Sequence, residues 1–177
     1  TITMKRPLIL VTNDDGISAP GIRNLIRIMN DFGDVVVVAP DAPQSGMGHA
    51  ITIDSTLRFT KHEGGFPNVE EYSCSGTPVD CVKFGTEVVA NGRKVDLVVS
   101  GINHGPNSSI NVIYSGTMSA AIEAGIEGVP AIGFSLLDFK WDADFKVSEE
   151  YVENITLNAL SEGIPEGVIL NVNIPNF

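Results

Sequence analysis

The sequence predicts an α/β protein, with a mostly parallel sheet covered by helices on both faces. Three observations predict it. Short continuous apolar runs recur along the chain, helical apolar patterns alternate with them, and polar Gly/Asn/Asp/Ser clusters follow several of the runs.

The elements follow in order. Leu8-Ile9-Leu10-Val11 is an unbroken apolar run, the pattern of a strand buried on both faces. Between Ala19 and Asn30, residues Ile22, Leu25, Ile26 and Met29 fall on one helical face. Val35 to Val38 forms a second buried strand, stopped by Pro40. Residues 40–73 give way to short alternating pieces around Ile51–Asp54, Leu57–Thr60 and Val69–Ser73, a β-hairpin excursion. Thr77-Pro78 opens a helix, with Thr77 as N-cap and Asp80 three residues past it. Leu97-Val98-Val99 is the next strand, and a Gly/Asn/Ser-rich loop from Gly101 to Gly116 leads into a helix from Thr117 to Glu127. Ala131–Phe134 is a strand, and a helix from Ser148 carries Val152, Ile155 and Ala159 as far as Gly163. Val168–Val172 closes the series.

No repeat, linker or low-complexity tract divides these elements. A chain of 177 residues buries about 70% of its unfolded surface, enough for one core without staples. Residues 1–3, ahead of Met4, read as an expression remnant, which puts a single domain at residues 4–177. The N-terminus does not read as a signal peptide, and no run of about 18 apolar residues predicts a membrane span. A cytoplasmic protein is therefore expected. Cys74 and Cys81 fit small reduced thiols in that setting, and the sequons at Asn107 and Asn154 carry no weight there.

Charge narrows the partners. Eleven Lys+Arg against 22 Asp+Glu leave a net charge of −11, with no basic cluster to displace counterions from DNA or RNA. An anionic substrate would have to be met by a cation or by backbone N–H groups.

Ligands of an open parallel sheet bind at the carboxyl ends of its strands. Three polar clusters stand there. Thr12-Asn13-Asp14-Asp15-Gly16 puts two adjacent carboxylates at one strand end, which repel unless a hard divalent cation lies between them. The same residues would also make a plain turn with Asp14 as a cap. The segment from Pro40 to His49 offers Gln44, Ser45 and His49, or is simply a loop; His49 reads as a surface histidine, with acid–base chemistry as the alternative. Ser100-Gly101-Ile102-Asn103 supplies a neutral oxygen donor in Asn103. It leads on to Ser115-Gly116-Thr117, hydroxyls and a glycine at a helix start that would cradle a phosphate. A structural loop with Thr117 as an ordinary cap is the competing reading. A P-loop, a G-x-G-x-x-G turn and a G-x-S-x-G elbow are all absent, and the pair after the first strand is Asp14-Asp15 rather than D-x-D.

Six blocks together resemble the SurE family of survival-protein nucleotidases. They are Leu10 to Gly16, Ala39-Pro40-Asp41 with Ser45-Gly46, Ser75-Gly76-Thr77-Pro78, Ser100 to Asn103 with Gly105 and Asn107, Tyr114 to Thr117, and Leu170 to Pro175. They keep order and spacing across residues 7–175. The resemblance implies a Rossmann-like three-layer sandwich and a divalent-metal-dependent phosphatase of nucleoside monophosphates, acting on the 5′-phosphate and also on the 3′-phosphate. It implies one Mg²⁺ or Mn²⁺ per subunit on Asp14, Asp15, Ser45 and Asn103, with Asp14 and Asp15 catalytic through a metal-activated water. By the same resemblance Asn13, Gly16, Ser115, Gly116 and Thr117 line the phosphate site, and the chain forms a homodimer or homotetramer. The alternative is a non-catalytic metal- or nucleotide-binding module of the same fold. The chain departs from the family at Ala42, Pro43 and Gln44, where many members carry Arg and Asn, and at Ser109, Ile110 and Asn111, where Gly-x-Asp is frequent. Family members also usually continue for tens of residues past the Asn-Ile-Pro block.

Overall fold

The computed structural model describes residues 5–44, 50–63, 65–105, 115–140 and 142–176. The described elements run β1 (Leu8–Thr12), α1 (Pro20–Asn30), β2 (Asp34–Pro40), β3 (Phe59–His62), β4 (Val69–Cys74), α2 (Pro78–Phe84), β5 (Leu97–His104), α3 (Gly116–Ile126), β6 (Ala131–Leu137), α4 (Glu149–Glu162) and β7 (Leu170–Pro175). A π-helical turn (Gly85–Val89) extends α2, and a 3₁₀ turn (Phe145–Ser148) leads into α4. The strands form one sheet in the order β3-β4-β2-β1-β5-β6-β7. Every neighbouring pair is parallel except β3–β4, the hairpin at one edge.

The three expected layers are present. On one face Ile22, Leu25, Ile26 and Met29 of α1 and Val152 of α4 pack with Ile9, Val11, Val35, Val37 and Ile132. On the other face Cys81 and Val82 of α2 and Met118, Ala120, Ala121 and Ala124 of α3 pack with Leu10, Val36, Val38 and Val98. Each fully buried Leu or Ile contributes about 1.5–3 kcal/mol by transfer from water, so the central strands hold the scaffold rigid.

Local chemistry sets the helix starts. Pro20 and Pro78 occupy first-turn positions, where the missing N–H costs nothing. Thr77 and Asp80 form a reciprocal capping box on α2. The helix after residue 115 begins one residue earlier than expected, because Ser115, not Thr117, is its cap.

Four boundaries differ from the sequence expectation. Pro40 is the last residue of β2, paired with Cys74, rather than the stop beyond it. Strand β5 runs through His104: past a bulge after Ser100, Asn103 and His104 pair with Ser135 and Leu136, so polar residues expected in a loop continue the ladder. The alternating piece Ile51–Asp54 is not a strand; the Thr52 N–H and hydroxyl bond to Asp80, and Ile53 is 83% exposed. The last strand begins at Leu170, because the Val168 N–H closes a turn on the Pro165 carbonyl.

Helix α1 lies very close to the bulged end of β5. A Cβ added to Gly21 would stand 2.0 Å from the Ile102 carbonyl oxygen. Gly21→Ala is therefore expected to cost about 1–3 kcal/mol of stability, read as a lowered midpoint in thermal unfolding. An unchanged midpoint would contradict this packing.

Candidate metal and phosphate site

The turn after β1 is braced from within. The Asn13 side-chain amide donates to the Gly16 carbonyl at 2.8 Å and its oxygen accepts the Gly16 N–H at 3.2 Å. Gly16 has φ +103°, a conformation that favours glycine. Two bonds zip this turn to the end of β2 and the segment after it: Ile17 N–H donates to the Pro40 carbonyl at 2.9 Å, and Gln44 N–H donates to the Asp14 carbonyl at 2.7 Å.

Helix α3 closes the site from the other side. The Thr117 hydroxyl donates to Asp14 Oδ1 at 2.9 Å, across 103 residues of chain. A Cβ on Gly116 would sit 2.5 Å from the Asp14 Cβ, so only glycine lets the helix start approach this closely. The Ser115 hydroxyl accepts the Met118 N–H at 3.3 Å and caps the helix. Asn103 lies beyond the bulge on β5, the strand beside β1, where Thr12 is in register with Ser100.

Electrostatics make this turn costly as it stands. Burial pushes the Asp14 carboxyl above the usual carboxylate range, against the hydrogen bonds from Thr117 and the opposing charge of His104. Asp15 is pushed up to about 6, by burial first and by the negative charge of Asp14 second. Two neighbouring acids disfavour each other's ionised form. A divalent cation reverses that penalty.

The donor chemistry fits a hard cation. Asp14, Asp15 and Asn103 offer oxygen only, and Ser45, which would add a hydroxyl, lies outside the described residues. Among the described residues no three His, Cys, Asp or Glu converge as metal ligands, so an ion here would need amide or hydroxyl oxygens beside the two carboxylates.

The sequence expectations and the structure meet unevenly. Asp14, Asp15, Gly16, Asn103, Ser115, Gly116 and Thr117 stand at the carboxyl ends of β1 and β5 or at the start of α3. Asn13, expected at the phosphate, is 2% exposed, and its side-chain amide braces the turn through Gly16. Thr117 is fully buried with its hydroxyl on Asp14. His49, Asn107 and Tyr114 lie outside the described residues.

Sequence reasoning passed over His104. Its charge acts on both Asp14 and Asp15, its Nδ1 lies 3.3 Å from the Lys140 carbonyl oxygen, and its ring meets Phe145 edge-on. Its position directly after Asn103 was the available signal. Behind the turn, a cleft of about 410 Å³ is lined by Ile17, Ser18, Arg23, His62, Glu63 and Glu71, and holds none of the expected site residues.

Comparison with known proteins agrees with the strand-end blocks. The sequence model of the family described as Survival protein SurE matches residues 9–177. The chain belongs to the SurE family. It is 65% identical over 172 residues to a protein of Flavobacterium psychrophilum named 5′-nucleotidase SurE, covering 97% of this chain and 66% of that protein. A Bacteroides thetaiotaomicron protein of the same name is 47% identical over 174 residues, again with 97% and 66% covered. The crystal structure of a SurE protein from Aquifex aeolicus superposes with a TM-score of 0.88 at 42% identity, over 97% of this chain and 67% of that one. This SurE chain thus spans about two thirds of the length of the curated relatives it matches.

The contact between α3 and Asp14 makes a direct prediction. Gly116→Ala is expected to push the helix start off Asp14, at a cost of about 1–3 kcal/mol. Thermal unfolding with and without Mn²⁺ would show a lowered midpoint and a diminished gain from the ion. Wild-type behaviour in both would contradict the contact.

Proposed function

We propose that the chain is a divalent-metal-dependent phosphatase that hydrolyses nucleoside 5′-monophosphates to nucleoside and phosphate. The observation that carries this reading is the pair of partly desolvated carboxylates, Asp14 and Asp15, the first of them pressed against the N-terminus of α3. Relatives that bear the name 5′-nucleotidase support the substrate class.

In this reading Asp14, Asp15, Asn103 and Ser45 hold one Mg²⁺ or Mn²⁺. When bound, such an ion polarises a phosphoryl oxygen and lowers the pKa of water. The chain's own groups do the rest. The first-turn N–H groups of α3 would meet the anion, where the positive end of the helix dipole favours negative charge. The Thr117 hydroxyl fixes the Asp14 carboxylate, so the donor does not reorganise as charge grows on the transferred group. With Asp14 Oδ1 engaged in that bond and the carboxylate in the ligand set, water is the better nucleophile. A net charge of −11 fits a site that meets anions through an ion and N–H groups rather than through Arg or Lys.

The same reading includes a cytoplasmic setting and a homodimer or homotetramer, the latter measurable by light scattering. No described helix is long and apolar enough to cross a membrane.

The test is phosphate release from a panel of nucleoside 5′- and 3′-monophosphates with Mn²⁺ or Mg²⁺, with and without EDTA. Release that depends on the metal and falls by about 100-fold or more in Asp14→Asn is expected, since a metal ligand is removed. Saturable metal-dependent nucleotide binding without release would instead assign a binding module. Release that survives EDTA would contradict the metal site.

A further inference from the structure

Lys5, Arg6, Arg93 and Lys94, with Asp96, line a pocket of about 240 Å³. The residues directly precede the neighbouring strands β1 and β5, so the pocket lies at the end of the sheet opposite Asp14. In sequence these are two separate basic pairs, too short to form a basic cluster. Folding joins them across 87 residues of chain, where the Arg93 guanidinium donates to the Arg6 carbonyl. The chain has 11 Lys+Arg and a net charge of −11. More than a third of its cations therefore meet at one place on an acidic molecule.

Two carboxylates stand against these four cations, and both are engaged. Asp34 takes Arg93 Nη1 at 2.8 Å and Arg6 Nε at 3.6 Å. Asp96 Oδ2 accepts the Leu8 N–H at 2.8 Å, and the Asp96 N–H returns to the Leu8 carbonyl at 2.9 Å. Arg6 also donates to the carbonyls of Asn30 at 2.7 Å and Gly33 at 2.8 Å. The two arginines are thus fixed in place. Lys5 and Lys94 are exposed, and among the described residues their side chains make no ion pair or hydrogen bond. Lys94 also borders a groove that holds Glu166, without pairing with it. Four cations against two carboxylates leave two positive charges in excess, in a concave site where like charges reinforce one another's field.

We propose that this pocket is a second anion site, for a phosphate group that is either free or carried by a monoester. Such a group bears about −1.5 to −2 at neutral pH, which matches the excess. The fixed guanidinium groups of Arg6 and Arg93 offer directional donors, and the Lys5 and Lys94 ammonium groups add charge that can move to meet the ligand. A polymer such as RNA fits poorly, because the acidic surface around the pocket repels an extended polyanion. The site is independent of the Asp14–Asp15 turn and needs no metal ion.

The test is calorimetric titration of metal-free protein with inorganic phosphate and with ribose 5-phosphate, at about physiological ionic strength so that general surface attraction is screened. Lys5→Gln/Lys94→Gln removes two charges that no described ion pair uses, so its unfolding midpoint without phosphate is expected to match wild type. Lys61→Gln/Lys146→Gln removes the same charge from exposed positions elsewhere. Saturable binding to one site is expected, weakened by about 10-fold or more in the Lys5/Lys94 variant and near wild type in the Lys61/Lys146 variant. Binding of both ligands assigns the shared phosphate group, and binding of one alone assigns its source. Absence of saturable binding by either ligand, or equal weakening in the two double variants, would overturn the site.

Discussion

Asp14 and Asp15 are consecutive carboxylates at the end of the central strand β1, partly out of water, and each disfavours the other's charge. Much of the surrounding structure serves to hold them there. Asn13 and Gly16 lock the turn, Gln44 ties it to the segment after β2, and α3 brings Thr117 and Gly116 onto Asp14. The rigid parallel sheet behind them prevents relaxation. Removing the like-charge penalty by moving the acids apart would mean breaking several buried hydrogen bonds, each with a desolvation cost of about 1–3 kcal/mol. The arrangement holds the two acids together at the strand end.

The sign of the pH linkage follows from this. Asp15 holds its proton up to about pH 6 in the folded chain, against about 3.9 for an unperturbed aspartate. In the metal-free protein its ionisation therefore lowers stability as pH rises through that window, the reverse of a salt-bridged aspartate. Asp80 behaves in the usual way: its hydrogen bonds to Thr52 and Thr77 lower its pKa, so its contribution is present at neutral pH and fades in acid. These two aspartates thus respond to pH in opposite directions.

Local patterns explain what was legible in the sequence. The run Leu8–Val11, the apolar face of α1 and the Thr77/Asp80 cap all depend on residues within a few positions of each other. That Asp14 and Asn103 stand toward the carboxyl ends of neighbouring strands was readable because those ends line up along one edge of a parallel sheet. Less legible were features set by distant partners. Nothing local to Asn103 and His104 announces that they pair with β6, and nothing in the alternating piece Ile51–Asp54 shows that Thr52 belongs to Asp80. Asn13 is a different case. Its bonds to Gly16, three residues on, are a short-range turn signature. Of the two hydroxyls at the start of α3, that of Ser115 caps the helix and that of Thr117 reaches Asp14.

The most direct measurement is thermal unfolding of wild type and Asp15→Asn at neutral pH, each with and without Mn²⁺. If the carboxylates are held in mutual repulsion for a cation, Asp15→Asn unfolds at a higher temperature than wild type when metal-free, by about 2–4 °C for each kcal/mol relieved. It then gains little or nothing from Mn²⁺, whereas wild type gains clearly. A metal-free Asp15→Asn less stable than wild type, with an undiminished gain from Mn²⁺, would contradict the account.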